Sequence, residues 1–295
     1  MTPAALTARL KGLEGAVALP LFDRTSAGLR LNAAGAVALE RARAIERALR
    51  DFTEAMQAIR TGQGGTLSVG AVSTAKYFAP RLIAAFIGSH PKLDLRFQIG
   101  NRAETIEALK NLEVDVALTG RPPADLPVAK TPIGPHPYVM IAPPTHRLAR
   151  ARRILREALA GEAFLFREPG SGTRSLFEVF IGDTEIRRAQ VGMELGSNET
   201  IKQAVMAGMG IALISAHTIA AEVAERRLVC LDIAGLPIIR HWYVVYRADR
   251  PLSAAARAFN DFARSRGAEF LPAATAGAAP ARAPARKKQP RSARL

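Results

Sequence analysis

From Thr66 onward, short apolar segments typical of strands alternate with amphipathic segments typical of helices. The pattern begins with a strand "TLSVGAV" (66–72), a helix (75–90) and a strand (93–100), and it ends with a strand (240–248) and a helix (253–265). Because this alternation is typical of a parallel sheet covered by helices, the sequence predicts an α/β fold. The simplest arrangement is two similar lobes with a cleft between them, the last strand and helix returning to the first lobe. Predicted helices in the second half are 153–160, 173–181, 199–208 and 216–224.

The composition supports a folded chain with more than one domain. Of the 295 residues, 48% are apolar, which is enough for two or three cores. No run approaches the eighteen apolar residues that a membrane helix needs, and the first residues do not begin a signal pattern. We therefore predict a cytoplasmic protein without a membrane partner. The single cysteine, Cys230, excludes an internal disulfide.

The formal net charge of +15 is not one patch. The segment 272–295 holds six basic residues and no acidic residue. Its Ala, Pro and Arg composition lacks the apolar groups that offset chain entropy, so we expect a disordered basic tail. A solvated tail is a more economical interpretation than a second DNA-binding arm.

The first residues predict a short helix followed by a two-stranded ribbon. In "TPAALTARLKGLEGAV" (2–17) Leu6, Leu10 and Leu13 share one face, with Thr2 as N-cap and Pro3 at the first helical position. The next stretch, "PLFDRTSAGLRLNAAG" (20–35), reads as a wing that turns at Ser26-Ala27-Gly28. The polar face of the helix and the basic residues of the wing suit contact with phosphates and bases, although a solvated face is the simpler alternative.

A coiled-coil seam follows between residues 34 and 60. Apolar residues recur at steps of 4, 3, 4 and 3, at Ile45, Leu49, Phe52, Met56 and Ile59. This spacing is typical of a coiled coil, so a second copy of the chain is the expected partner. The alternative is that the seam packs on the body of its own chain. The glycine-rich "TGQGG" (61–65) is expected to end the helix as a hinge.

Neither a catalytic constellation nor a metal site stands out. The five histidines, at 90, 136, 146, 217 and 241, are scattered and lack metal-ligand spacing. There is no G-x-S-x-G elbow and no Walker loop. We therefore expect neither an enzyme nor a bound metal or cofactor.

Polar turns that lead from a strand end into a helix recur instead, each with a cation nearby. They are Ser73-Thr74 with Lys76, Asn101-Arg102, Gly120-Arg121, "REPGSGTR" (167–174) with Ser171, Thr173 and Arg174, and Ser197-Asn198 with Lys202. Ligands bind at such strand ends in open α/β sheets, and helix N-termini attract anions. A single turn of this kind is usually only a cap. Five of them favour a small anionic ligand, either a phosphorylated or a carboxylated metabolite.

These segments resemble those of the LysR-type transcriptional regulators. Residues 2–35 resemble the family's recognition helix and wing, and the helix and two α/β lobes that follow are similar to its layout up to about residue 271. Three segments resemble the carbon-fixation subgroup, the CbbR or RbcR regulators of Calvin-cycle genes. They are "STAKYFAPRLIAAF" (73–86), "GNRAETIEALKNLEVDVALTGRPP" (100–123) and "FREPGSGTR" (166–174).

The resemblance implies a domain plan. A partial winged helix-turn-helix at 1–35 is followed by a dimerisation helix and hinge at 36–65 and by a periplasmic-binding-protein-like (type 2) effector domain. Lobe 1 of that domain is expected at 66–144, completed by 243–271, and lobe 2 at 145–242.

It also implies two sets of contact residues. The expected DNA contacts are Thr2, Ala4, Thr7, Arg9, Lys11, Arg24 and Arg30. For the effector pocket it implies ten residues. Two of them, Thr119 and Glu168, were not singled out above, and the other eight belong to the polar turns: Ser73, Thr74, Asn101, Arg102, Arg121, Ser171, Thr173 and Asn198. The effector would be a sugar bisphosphate, phosphoenolpyruvate or NADPH, and the macromolecular partners promoter DNA, a homodimer that pairs into a tetramer, and RNA polymerase.

The sequence departs from the family pattern at its front. Family members begin with two helices before the recognition helix, whereas Met1 falls near the start of that helix. Residues 2–35 are therefore expected to leave their apolar face unburied and to be poorly ordered. A start codon placed too late, or a truncated reading frame, is the expected explanation.

The leading prediction is a DNA-binding regulator of carbon-fixation genes that responds to an anionic metabolite. The alternative is a truncated or solute-binding type of protein that binds the metabolite and dimerises without specific DNA binding. An enzyme on the same scaffold is a further rival, for which the sequence offers no nucleophile.

Overall fold

The computed structural model describes residues 2–25, 28–61, 65–182 and 192–273. Its first helix, α1 (Pro3–Val17), begins as predicted, because the Thr2 side chain accepts a hydrogen bond from the backbone N–H of Ala5 and proline opens the helix. A hairpin of β1 (Phe22–Thr25) and β2 (Gly28–Leu31) follows. Its strands pair antiparallel, with Asp23 opposite Arg30. The predicted ribbon is confirmed, and Ser26 and Ala27 of its turn lie outside the described residues.

The large apolar side chains of this front segment are mostly exposed. Leu21 is buried, but six others are at least a third exposed: Leu6, Leu13, Val17, Leu19, Leu29 and Leu31. The apolar face of residues 2–35 is therefore unburied within the described chain. That these residues are poorly ordered stays a prediction.

The long helix α2 (Ala33–Thr61) carries the predicted seam. Ile45, Leu49, Phe52 and Met56 are between 46% and 70% exposed, so these four do not pack on the body of their own chain. The side chain of Ile59 lies outside what the structure describes, as do residues 62–64 of the predicted hinge. On another side of α2, Arg43 and Arg47 reach residues 111–115.

Contacts divide the chain into two compact units. One comprises residues 1–133 with 243–268, and the other comprises 134–242 with the residues from 269 on. We call residues 65–133 with 243–268 lobe 1, and residues 134–242 lobe 2. One long strand, Val128–Ala142, runs through the division at 133/134, and the domain boundaries expected from the sequence stay a prediction.

Lobe 1 is built on parallel strands covered by helices. Its elements are β3 (Thr66–Val72), α3 (Ala79–Ser89), β4 (Asp94–Gly100), α4 (Arg102–Lys110), β5 (Val116–Thr119), the start of β6 (Val128–Ala142), the end of β11 (Ile238–Arg247) and α8 (Ala254–Arg266). β3 lies between β4 and β5 and is parallel to both. Phe86 of α3 meets Phe259 of α8 edge to face, with ring centroids 5.2 Å apart, so the C-terminal helix is part of this core.

Lobe 2 contains the remaining elements. They are the rest of β6 and β11, β7 (Phe164–Arg167), α5 (Gly172–Ile181), β8 (Gly192–Leu195), α6 (Asn198–Met206), β9 (Ala212–Ser215), α7 (Ala220–Ala224) and β10 (Val229–Cys230). β7 and β8 pair in parallel, whereas β6 pairs antiparallel with both β9 and β10. Buried apolar side chains form two clusters in this lobe, one that includes α5 and one that includes α6.

The prediction of a parallel sheet is wrong for part of the structure. β11 returns to lobe 1 antiparallel to β5, and the pairs of β6 with β9 and β10 are also antiparallel, so the sheet is mixed. Two predicted helices are also shorter than expected. Residues 153–160 contain only a 3₁₀ turn (Arg156–Leu159), and 216–224 divide into a 3₁₀ turn and α7. The predicted tail lies outside the described residues from 274 on.

Among the described residues, none of the helices combines the length and apolar character required to cross a membrane.

Candidate functional site

Three predicted polar turns meet at one edge of lobe 1. In the parallel register Val72 is opposite Gly100, and Ala71 is opposite Leu118. Ser73, Asn101 and Thr119 therefore follow neighbouring positions at the carboxyl ends of β3, β4 and β5. Strand ends of this kind are where open α/β sheets bind ligands.

The turn after β3 places two hydroxyls and a cation at this edge. Residues Ser73–Tyr77 form a 3₁₀ helix in which Thr74 is buried. The Lys76 ammonium lies 5.3 Å from the ring centroid of Tyr77 and is half-buried. A positive charge is thus held beside Ser73 and Thr74.

Asn101 is first of all the N-cap of α4. Its side-chain oxygen accepts from the backbone N–H of Glu104 at 3.0 Å, and the Glu104 carboxylate accepts from the backbone N–H of Asn101 at 2.8 Å. This reciprocal capping box fixes the start of α4. It leaves the side-chain NH₂ group of Asn101 outside the capping arrangement.

Two arginines come together beside this cap. The Nε of Arg102 donates to the backbone carbonyl of Arg121 at 3.1 Å. Burial lowers the pKa of Arg102, and the charge of Arg121 lowers it further, against an opposing effect of Asp125. Thr119 is buried, and its hydroxyl lies 3.4 Å from both the backbone nitrogen and the carbonyl oxygen of Arg121. Two like charges at a strand edge repel each other, and a bound anion would relieve that repulsion.

In lobe 2 the corresponding centre is Arg167, at the end of β7. Its side chain is 2% exposed and grips the Glu168 carboxylate with Nε at 2.6 Å and Nη2 at 2.7 Å. Its Nη1 donates to the side-chain oxygen of Asn198, the first residue of α6, at 2.7 Å. Glu168 and Asn198, both predicted pocket residues, are therefore brought together by a buried guanidinium.

The turn between β7 and α5 contributes two buried hydroxyls. Gly170 has φ +84°, a conformation that favours glycine, and Ser171 then caps α5 by accepting from the backbone N–H of Thr173. The Thr173 side chain is hydrogen-bonded to Tyr138 of β6. Burial raises the pKa of Tyr138 well above its usual value, so its hydroxyl stays protonated. Both α5 and the neighbouring strand thus present hydroxyl groups at this turn.

Two of the predicted cations in lobe 2 are already neutralised. Arg174 contacts Glu178 at 3.0 Å and Glu194 at 2.5 Å. Lys202 is buried against Glu199 and Glu222, at 3.0 and 2.8 Å. These glutamates balance most of the positive charge of Arg174 and Lys202. Both residues are therefore weaker anion ligands than the sequence suggests.

Three residues of lobe 2 were not among the predicted pocket residues. They are Arg167, Tyr138 and Arg240. Arg240 is exposed on β11, and its positive charge lowers the pKa of Tyr138, against the larger effect of burial. In the sequence Arg167 is only the first residue of the turn "REPGSGTR". Tyr138 and Arg240 lie inside strands, where no turn or cap marks them. Only the folded contacts identify them.

The predicted DNA contacts all belong to the front segment. On α1 the side chains of Ala4, Thr7, Arg9 and Lys11 are exposed, as is the capping residue Thr2. Arg30 is exposed on β2, and the side chain of Arg24 lies outside what the structure describes. The helix and the hairpin therefore place basic groups on their surfaces within one short segment.

Comparison with a family model identifies most of the chain. Residues 60–268 match the model described as the LysR substrate binding domain. This match covers α3 to α8 and all the strands of both lobes.

Curated relatives and solved structures are similar over most of their lengths. The HTH-type transcriptional regulator CbbR of Sinorhizobium medicae is 48% identical over 272 residues, or 92% of this chain and 87% of that protein. The RuBisCO operon transcriptional regulator of Allochromatium vinosum is 39% identical over 90% of this chain and 88% of its own. The regulatory domain of Synechocystis CcmR, solved in complex with 2-PG, is 37% identical with a TM-score of 0.63, over 68% of this chain and 96% of that chain.

Proposed function

Because the chain belongs to the LysR family of transcriptional regulators, we propose that it is a DNA-binding regulator of carbon-fixation genes. One relative is a RuBisCO operon transcriptional regulator, and the CbbR regulator of Sinorhizobium medicae is 48% identical to this chain. These relatives regulate transcription and are not enzymes. The proposed location is the cytoplasm, where promoter DNA and RNA polymerase are found.

The proposed signal is a small phosphorylated metabolite bound at the strand edge of lobe 1. The solved relative in complex with 2-PG (2-phosphoglycolate) supports this ligand class, which carries both a phosphate and a carboxylate. Sugar bisphosphates, phosphoenolpyruvate and NADPH share the phosphate group and are the other candidates. Binding changes gene expression only if the effector favours one quaternary state, typically by about 1 to 3 kcal/mol.

The single observation that carries the effector site is the pair Arg102 and Arg121. A half-buried guanidinium whose pKa is lowered by burial and by a second guanidinium stands where three strands end. Arginine forks bind phosphate in a bidentate manner. We propose that these two residues hold the phosphate.

The other effector residues expected from the sequence, each within its own lobe, are also proposed to take part in effector binding. They are Ser73, Thr74, Lys76, Asn101, Thr119, Glu168, Ser171, Thr173, Arg174 and Asn198. Within this set, Asn101 and Ser171 act mainly as helix caps. Glu168 and Asn198 are held in place by Arg167.

On the DNA side, α1 and the hairpin are proposed to contact a promoter. The exposed seam of α2 is proposed to join two copies, and pairs of dimers to form a tetramer that acts on RNA polymerase. Coiled-coil seams bury their apolar positions against a second helix, and four of these positions are exposed in the single chain.

The test is a calorimetric titration of the full chain with 2-phosphoglycolate, using Arg102→Gln, Arg121→Gln and the control Arg81→Gln on α3. Loss of a charge-assisted hydrogen bond weakens binding by roughly 10-fold or more. We expect that loss in the first two variants and unchanged affinity in the control. Equal affinities in all four proteins would refute the assignment of the phosphate site.

A second function is favoured by the exposed apolar side chains of α1 and β2. Within the described residues Leu6, Leu13 and Leu29 are not buried, so the apolar side chains of α1 and the hairpin form no core of their own. The alternative is a chain that binds the metabolite and dimerises but does not read DNA specifically. Anisotropy titrations with DNA upstream of the RuBisCO operon and with scrambled DNA separate the two functions, since equal affinities support the alternative.

A further inference from the structure

A cleft of about 100 Å³ lies where α2 meets lobe 1. It is separate from the strand edge that holds Arg102 and Arg121. Arg47 of α2 lines one part of it, and Leu112 to Asp115 line another. The rest is formed by Arg247 at the end of β11 and by residues 250–253, which lead into α8. Three guanidinium groups therefore line one small cleft.

Two of these arginines have carboxylate partners. Arg47 pairs with Asp115, whose other oxygen accepts from the backbone N–H of Ser68 at 2.8 Å. Arg247 pairs with Asp249 at 2.5 Å and also donates to the backbone carbonyl of Lys110 at 3.2 Å. Both carboxylates are thus committed to an arginine.

Arg250 differs from the other two. Its Nη1 is buried and has no hydrogen-bond partner within the part of the chain that the structure describes. A buried charged donor without an acceptor costs more free energy than a neutral one. One donor of the Arg250 guanidinium therefore has no acceptor among the described residues, although Asp249 lies close enough for the charge of Arg250 to lower its pKa.

The start of α8 adds a further positive contribution at the same place. Ser253 lines the cleft and caps this 13-residue helix by accepting from the backbone N–H of Ala256 at 3.2 Å. A helix N-terminus carries a partial positive charge equivalent to about half an elementary charge. The dipole and the Arg250 guanidinium both favour an anion.

We propose that this cleft binds a phosphate group, independently of the effector site proposed at Arg102 and Arg121. A tetrahedral phosphate has several acceptor oxygens and matches the arginine fork. A cleft of about 100 Å³ offers the volume of roughly three water molecules, which suffices for one phosphate group. Because Arg47 belongs to α2 and Arg250 to lobe 1, the bound group strengthens the attachment of α2 to lobe 1.

The experiment is a titration of the full chain with inorganic phosphate and, separately, with glycerol 3-phosphate. Binding is followed by calorimetry and by the thermal unfolding midpoint, at constant ionic strength set with chloride. Tighter binding of inorganic phosphate identifies the free ion as the ligand, and tighter binding of glycerol 3-phosphate identifies an ester. If neither inorganic phosphate nor glycerol 3-phosphate binds at millimolar concentration, the proposal is wrong.

Variants locate the site. Arg250→Gln is expected to raise the dissociation constant by roughly 10-fold or more, as for loss of a charge-assisted hydrogen bond. Arg250→Lys retains the charge without the fork, and we expect an intermediate loss. The matched control is Arg264→Gln, since Arg264 is an exposed residue of α8 that pairs with Asp261 away from the cleft.

The effector edge supplies the opposite control. Arg102→Gln is expected to leave the affinity for inorganic phosphate unchanged. If Arg102→Gln abolishes phosphate binding and Arg250→Gln does not, the ion binds at the strand edge and the proposal is wrong. If 2-phosphoglycolate fails to bind while phosphate binding depends on Arg250, the effector proposal fails and this one stands.

Discussion

The indole Nε1 of Trp242 donates a hydrogen bond to Nδ1 of His217 at 3.1 Å, and both side chains are buried. His136 stacks on the same indole, with ring centroids 3.8 Å apart, and its Nε2 lies 2.9 Å from the Ser215 hydroxyl. Because Nδ1 of His217 accepts a hydrogen bond, this imidazole is neutral in the folded protein. Lobe 2 therefore contains two buried histidines around one tryptophan, close to the point where β11 leaves the lobe.

The buried histidines His136 and His217 predict that lobe 2 loses stability in weak acid. Burial lowers the pKa of His217 to about 4 and holds that of His136 well below its usual value. Between pH 6.5 and 4 the unfolded chain binds more protons than the folded chain, so the free energy of unfolding falls as the pH falls. For His217 alone the expected loss is about 3 kcal/mol.

Urea unfolding at several pH values checks this prediction. His217→Gln is expected to flatten the pH dependence, whereas His241→Gln, at an exposed position of β11, leaves it unchanged. An unaltered slope in His217→Gln would show that this histidine is not responsible.

Asn198→Ala is expected to destabilise lobe 2. It removes an acceptor of the buried Arg167 Nη1, and loss of a hydrogen bond to a buried charged group costs about 1.5–3 kcal/mol. The control is Asn111→Ala, which removes a similar arginine contact, with Arg43, at a partly exposed site. Urea unfolding should show the larger loss for Asn198→Ala, and equal losses would contradict a special role for burial.

Arg30→Ala tests the hairpin as a DNA-contacting element. Removal of one phosphate contact weakens binding to all sequences similarly and lowers the slope of log affinity against log salt by about one. Fluorescence anisotropy between 50 and 200 mM salt measures that slope. Arg264→Ala on α8 is the control, and an unchanged slope for Arg30→Ala would remove the hairpin from the interface.

Leu49→Glu is expected to separate the two copies of the chain. The side chain is 61% exposed in the seam, and a carboxylate there would be buried without a partner in a dimer. Leu39→Glu is a matched change on the same helix, outside the seam. Sedimentation velocity should show monomers for Leu49→Glu only, and a dimer in both variants would place the interface elsewhere.

Gly35→Ala is expected to displace the hairpin from the start of α2. A Cβ at this position would lie 2.0 Å from the carbonyl oxygen of Leu21, so the backbone must move. Alanine normally stabilises a helix relative to glycine by about 1 kcal/mol, as we expect for the control Gly88→Ala, which has open space around it. A reduced DNA affinity with unchanged effector binding is the expected result, measured by anisotropy and calorimetry.

Local patterns were enough to predict most elements of this fold. Thr2 and Pro3 mark the start of α1 and Asn101 precedes α4, as the sequence indicated, and α8 lies within the predicted helix 253–265. The direction of strand pairing was not accessible in the same way. Whether β11 runs parallel or antiparallel to β5 depends on contacts between residues 117–119 and 243–245, which no local pattern records.

The candidate site was predictable where it consists of turns and caps. The strand-end rule identified Ser73, Asn101 and Arg121, which the structure brings to one edge of lobe 1. It did not identify the central place of Arg167, because that depends on burial and on Asn198, a residue 31 positions away. It also overvalued Lys202, since Glu222, one of the two glutamates that pair with this lysine, meets it only in the folded chain.

Lobe 1 is formed by two separate stretches of the chain, and this affects how it folds during synthesis on the ribosome. Domains generally fold as units as the chain emerges, from the N-terminus onward. Lobe 2 is continuous from residue 134 to 242, whereas lobe 1 needs β11 and α8 from residues 243–268 to complete its sheet and core. The later-made lobe is therefore complete first, and the earlier-made strands of lobe 1 must wait for residues 243–268 before they can close their own core.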